Sequence, residues 1–282
     1  PSGRVGVARW TVSDSERQAQ HDERVTHARP DVSADALADA LTILHGARWV
    51  DLTHSFAPGI PRYAAFPDEQ REVVCELGAD GFLVHRYSHV GQWGTHVDPP
   101  SHFVSGGRAL DELPVRDMVL PLAVVDVRDQ VAQDPDFVVD EATIRADEQR
   151  HGQIPPGAFV ALCTGWSHRW PSAEAMRNPD GAGVAHYPGW SVAALRWLAQ
   201  ERDMRAVGHE QTDTDPGTEL SAGRVDAERY LLEADRWQIE LLTRLDELPA
   251  RGGLILCSWP KPAGGSGFPA RCVAIVPTSV SR

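Results

Sequence analysis

Residues Gly91 to Phe103 read G-Q-W-G-T-H-V-D-P-P-S-H-F and set His96, Asp98 and His102 within seven residues. The adjacent Pro99 and Pro100 remove two backbone donors and fix two φ angles, so the stretch is no helix interior. It is extended or turned. In an extended chain residues two apart project to one face, so His96 and Asp98 point the same way. An imidazole and a carboxylate on one face, with a second imidazole one short turn on, make a donor set suited to a divalent metal. The competing reading is a polar loop whose histidines cap neighbouring backbone. A metal with an open position is catalytic, because it acidifies a water near neutral pH while an unligated histidine moves protons. The proline pair holds His102 at a fixed offset. That favours His96 and Asp98 as ligands and His102 as acid/base, although the spacing alone admits the reverse.

Working outward towards the N-terminus, Phe82–His89 and Val73–Leu77 read as strands separated by the hairpin signal G-A-D-G. Before them W-V-D-L-T-H-S-F is a strand running into the turn-rich A-P-G-I-P-R-Y-A-A-F-P. Leu37, Leu41 and Leu44 lie at helical spacing between an N-cap at Ser33 and a stop at Gly46. Residues 1–33 are polar and weakly patterned, and are expected to form an N-terminal arm preceding a domain over 34–282.

In the other direction, Val119–Val127 is a continuous apolar run, as expected of a strand buried on both faces. A helix over Asp140–Arg150 and a buried strand over Ala158–Cys163 follow. Residues 164–190 form a long irregular segment rich in Trp, a length that is usually functional in a compact domain. Ser191 caps the amphipathic S-V-A-A-L-R-W-L-A-Q-E-R, and Ala206–Gly208 is a short strand. Ala227–Ala234 reads as helix, Gln238–Leu242 as extended, and Leu254–Ser258 and Val273–Val276 as strands. Strands alternating with helices, with hairpins early on, predict an α/β fold: a single domain with a mixed β-sheet core and flanking helices.

Composition narrows the function. The 282 residues are 42% hydrophobic and 24% charged, an ordinary globular balance with length enough for a large core. Forty acidic against 27 basic residues give a net charge of −13, which repels phosphate backbones and anionic lipid. Neither nucleic acid nor membrane is therefore expected as a partner, and a small-molecule substrate is. No apolar stretch approaches the ~20 residues of a membrane span, and the first ten residues carry no hydrophobic signal region. Cys75, Cys163, Cys257 and Cys272 show no C-x-x-C spacing, and three sit in apolar runs. Reduced, buried thiols and a cytoplasmic location are the expectation.

The segment G-T-H-V-D-P-P-S-H-F resembles the H-x-G-T-H-x-D-x-P-x-H signature of the metal-dependent cyclase-like hydrolases, a superfamily that includes bacterial kynurenine formamidase and isatin hydrolase. The likeness runs from about residue 48. D-L-T-H-S-F-A-P-G-I-P looks like the family's opening strand and loop, and Y-P-G-W-S-V-A-A-L-R-W-L like a family helix. I-E-L-L-T-R-L-D-E-L-P and G-S-G-F-P-A-R-C-V-A match two later segments. The resemblance implies a swivelling β/β/α fold, at least a homodimer, either that or a homotetramer, and a divalent metal site, in which the loss of an imidazole noted below leads us to expect one ion, manganese or zinc. It implies His96 and Asp98 as ligands, His102 as the proton-transfer histidine and Glu240 as a ligating glutamate.

Two positions depart from the pattern. Gln92 stands where the signature has its first histidine, and Glu228 where a later ligating histidine is expected. Oxygen donors in place of imidazole harden a site, shifting preference from zinc towards manganese. Gln92 is thus a further ligand candidate, and His209 in the strand-end stretch G-H-E-Q-T-D-T-D another. Tyr63 and Trp93 are candidate substrate contacts, and Glu228 and Asp213 candidate partners that orient the ligands. The function expected is a metal-dependent hydrolase opening an amide, imide, lactam or lactone through metal-activated water. A lyase, dehydratase or cyclase using the same metal, and a non-catalytic member, are the alternatives.

Overall fold

The computed structural model describes residues 32–278. The chain divides into two units between His45 and Gly46. The described residues of the first unit lie almost entirely in a helix, Ala34–Gly46, that ends at the boundary and is entered through Ser33, whose Oγ accepts from Ala36 N at 3.1 Å. The polar arm expected over 1–33 lies, apart from residues 32 and 33, outside the described residues.

The second unit is built on one nine-stranded mixed sheet. Its strands are β1 (Arg48–Asp51), β4 (His96–Asp98), β5 (Val119–Asp126), β7 (Phe159–Cys163), β9 (Ala206–His209), β10 (Trp237–Glu240), β11 (Gly253–Ser258), β12 (Phe268–Pro269) and β13 (Arg271–Val276). They lie in the order β1-β13-β11-β5-β7-β9-β10-β4-β12. The central strands β5, β7, β9 and β10 are parallel, and the outer pairings are antiparallel. That is the mixed sheet expected, and the apolar runs V-L-P-L-A-V-V-D and F-V-A-L-C are its buried centre, as parallel strands covered on both faces require.

Alternation along these strands makes two cores. Ala123, Val125, Val160, Leu162 and Val207 face helices Glu141–His151, Val192–Glu201 and Asp226–Glu233, and meet their Ile144, Leu195, Leu198 and Leu231. Leu122, Val124, Phe159, Ala161, Trp237 and Ile239 face the other way, with Leu52, Leu110, Leu245 and Trp259. Two of the helices begin at the caps read from sequence: Asp140 Oδ1 accepts from Thr143 N at 2.8 Å, and Ser191 Oγ from Ala194 N at 3.0 Å.

Two smaller sheets lie apart from the large one. β2 (Gln70–Cys75) and β3 (Val84–Ser88) form the expected hairpin, closed by a short helix, Leu77–Asp80, and Gly81 at φ 79°. β6 (Val138–Val139) and β8 (Gly189–Trp190) are a short parallel pair. The irregular segment 164–190 is ordered around one buried acid. Glu210 accepts from Thr164 N at 2.7 Å, Thr164 Oγ1 at 2.8 Å, Trp166 N at 3.2 Å and Ser167 Oγ at 2.6 Å.

Candidate active site

The first core face runs out of apolar residues where β10 meets β4. Glu240 pairs with His96 and Gln238 with Asp98, so all four side chains share one face at the carboxyl end of β10. His209 ends the neighbouring parallel strand β9. In open α/β sheets this edge, outside the carboxyl ends of the strands, is where ligands bind. Helix Asp226–Glu233 supplies Glu228 from above. Its first turn is fixed by Asp215, whose carboxylate accepts from Ala227 N at 2.8 Å and Glu228 N at 3.0 Å.

The motif's glycines have definite work. Gly91 lies so close to Gly267 that a Cβ would come within 2.4 Å of the Gly267 carbonyl oxygen. Gly94 is in the left-handed region, φ 61°, and its carbonyl accepts from His96 Nδ1 at 2.8 Å. Because a carbonyl only accepts, Nδ1 carries a proton, and Nε2 is the nitrogen left to face the carboxylates. That Nε2 is buried and makes no hydrogen bond, and lies 3.2 Å from Asp98 Oδ2 and 3.5 Å from Glu240 Oε2.

His96, Asp98 and Glu240 each offer a ligand atom within 4.8 Å of the others. Asp213 and Glu228 join Asp98 and Glu240 in the wall of the same cavity, so four carboxylates meet there. Burial and the neighbouring carboxylates push Glu228 and Glu240 well above the ordinary carboxylate range. Burial also opposes the charge on Asp98, but His96 outweighs it, aided by His102 and Gln92, and holds Asp98 down to about 2. An orphaned imidazole nitrogen facing several crowded carboxylates is a donor set that fits a divalent cation.

Gln92 stands differently from a ligand. Its Nε2 donates to Asp98 Oδ1 at 3.1 Å and to the Ser266 carbonyl at 2.8 Å, and faces His102 Nδ1 at 3.4 Å. Turning the amide over would set Oε1 against two acceptor oxygens. Gln92 thereby orients Asp98 and His102 with its NH2 end. His102 Nε2 points towards Glu228 Oε1, 4.0 Å away. His209 has both ring nitrogens buried without hydrogen bonds, with Nε2 3.5 Å from Glu240 Oε1. Burial, then the charge of His96, pushes it down to about 3, so it is a neutral donor at the edge of the three-residue group.

Tyr63 lines the cavity, with its ring 5.2 Å from Phe66. Trp93 does not, which corrects its reading as a substrate contact. It is fully buried, its Nε1 donates to Glu69 Oε2 at 3.1 Å, and Arg62 lies over its ring. Asp213 accepts from Tyr187 OH at 2.6 Å and Thr212 Oγ1 at 2.8 Å, so it is positioned as an orienting partner would be.

Sequence reasoning missed Gln238. Its Nε2 lies 3.0 Å from Glu228 Oε1, 3.1 Å from Glu240 Oε1 and 3.3 Å from Asp98 Oδ2, and its Oε1 accepts from Thr214 Oγ1. The available signal was a polar residue two before Glu240 in an otherwise apolar strand, where period two puts it on the ligand face.

The cavity encloses about 310 Å³, and its apolar wall includes Phe66, Phe103, Leu220, Val225 and Leu241. Residues 50–216 match the Cyclase family model, more than half of the chain. The chain belongs to the cyclase family. It is 30% identical over 245 residues to isatin hydrolase of Roseibium aggregatum, covering 81% of this chain and 91% of that one. Isatin hydrolase A of Ralstonia solanacearum superposes with a TM-score of 0.78 at 32% identity, over 89% of this chain and all of that one. An isatin hydrolase bound to the product analogue thioisatinate superposes at 0.80 and 28% identity, over 87% and 100%. The expected fold and resemblance both hold, the protein is a hydrolase, and His96, Asp98 and Glu240 form a group that could hold a divalent cation.

Proposed function

We propose that this cyclase-family hydrolase opens the C–N bond of a small cyclic amide of the isatin type. The observation that carries this reading is His96 Nε2, buried without a hydrogen bond beside Asp98 and Glu240, on the wall of a cavity that also holds His102. His96, Asp98 and Glu240 would hold the cation, with His209 the next donor at hand. Manganese is the favoured ion over zinc, because two of the three donors are hard carboxylate oxygens. When bound, such an ion polarises a carbonyl and makes water acidic enough to attack near neutral pH.

The chain's own residues do the rest. The apolar side of the cavity, Phe66, Phe103 and Leu241 among it, suits a flat ring and excludes water from it. His102 is only part-buried and stands between Gln92 and Glu228. With Nδ1 accepting from Gln92, its Nε2 carries a proton for the departing nitrogen of the opened ring. Glu228 faces that Nε2 and keeps the ring turned towards the cavity.

The exposed β2–β3 hairpin, with Val73, Val74, Phe82, Leu83 and Tyr87 all open, favours a homodimer or homotetramer that covers it. A cytoplasmic location accords with four free cysteines, three of them buried. The test is to incubate purified protein with isatin, with and without added manganese or zinc, and to follow loss of the ring chromophore and gain of the ring-opened acid. Metal-dependent ring opening is the expected result. No turnover of any isatin or related lactam with either metal bound would overturn the reading.

A further inference from the structure

A second cavity of about 510 Å³ adjoins the first. The two share Arg62, Tyr63, Thr212, Asp213 and Leu220 in their linings, so the second opens beside the carboxylate cluster. Binding pockets run from ~300 to 1,000 Å³. The first cavity is thus at the size of a site for the reacting ring alone, and the second leaves more room than the first. Its surface is chemically distinct: Pro61, Ala173, Met176 and Ala185 are apolar, and Arg177 stands at the rim.

Arg177 donates from Nη2 to the Gly183 carbonyl at 2.5 Å, and it makes no ion pair among the described residues. Arg62, in both linings, donates to the carbonyls of Phe66 and Ile60 and lies 3.7 Å from Asp68. The single acid in the second lining, Asp213, has its Oδ2 engaged by Tyr187 and Thr212. A guanidinium with no carboxylate partner beside apolar cavity residues suits an apolar arm ending in a carboxylate, which Arg can grip with its remaining donors.

Resting on the reading of the first cavity as the ring-opening site, we propose that the second cavity is a substrate subsite. The substrate class is then a cyclic amide carrying, on its ring, a short hydrocarbon arm that ends in a carboxylate held by Arg177.

The test uses the metal-loaded enzyme and ring-opened analogues that no longer react: 2-aminophenylglyoxylate bearing a four-carbon arm ending in carboxylate, the same arm ending in carboxamide, or no arm. Calorimetry should show the carboxylate arm bound about tenfold more tightly than the carboxamide arm, the size of one partly exposed charge-assisted contact. Arg177→Gln should bring that ratio near one, and Arg177→Lys should keep part of it. Equal binding of the carboxylate and carboxamide arms by the wild type, or a preference that survives in Arg177→Gln, would overturn the subsite. Failure of the underlying reading looks different: unsubstituted isatin would not be hydrolysed at all.

Discussion

Gln238→Met keeps the length and volume of a side chain that bridges three carboxylates, and removes only its amide. Two N–H groups serve Glu228 Oε1, Glu240 Oε1 and Asp98 Oδ2, with the amide locked by Thr214. Asp98 keeps its second donor, Gln92. Glu228 and Glu240 lose the amide N–H that faces each of them, the one hydrogen bond each carboxylate accepts among the described residues. Ordering a freed side chain on binding costs roughly 0.5–1.5 kcal/mol, so two glutamates come to about 2 kcal/mol. That is about thirtyfold in affinity, within the ~10–100-fold usual for partners that orient metal ligands. The assay is a competition titration of manganese against a chromophoric chelator, wild type beside variant, with circular dichroism to establish that both are folded. A manganese affinity within twofold of wild type in a folded Gln238→Met protein would refute the argument.

Three further outcomes are expected. His96→Ala should lose its metal on dialysis, whereas His102→Ala should keep it by elemental analysis and lose turnover by about 10²–10⁴-fold. Gly91→Ala sets a Cβ against the Gly267 carbonyl oxygen and should lower stability by about 1–3 kcal/mol in urea unfolding. His186 donates from Nδ1 to Asp136 at 2.6 Å, a bond that raises its pKa above the usual 6.5. A raised folded pKa gives stability that is complete below the unfolded value and lost as pH rises through the folded one. His186→Gln should therefore melt below wild type near pH 6 and match it at about pH 9.

What could be read from the chain follows from locality. The proline pair and the period of two were enough to bring His96 and Asp98 to one face, and the caps at Asp140 and Ser191 were local signals that the fold uses as written. Glu240 came only through resemblance, since nothing local pairs it with His96. Gln238 lay hidden for a related reason: an amide carries no signature until β4 is set against β10 and three acids converge on it. Trp93 misled because a large aromatic inside a polar motif looks like a pocket wall, while its indole is spent on Glu69 in the interior. Glu210 gave no hint of its four hydrogen bonds, whose three donor residues all lie more than forty residues before it.

The pairing of β4 with β10 also has a consequence for synthesis. Asp98 and Gln238 are neighbours in the sheet but 140 residues apart in the chain. At ~5–20 residues per second on the ribosome, His96 and Asp98 emerge about 7–28 s before the strand that completes their site. Until then β4 lacks both its neighbours, since β12, on its other side, is made later still. A nascent chain released anywhere before residue 240 carries the histidine and the aspartate but not the glutamate. With His96, Asp98 and Glu240 as the proposed ligands, metal capture would mark chains whose synthesis has passed residue 240, and shorter fragments should be unable to compete with them for a scarce ion.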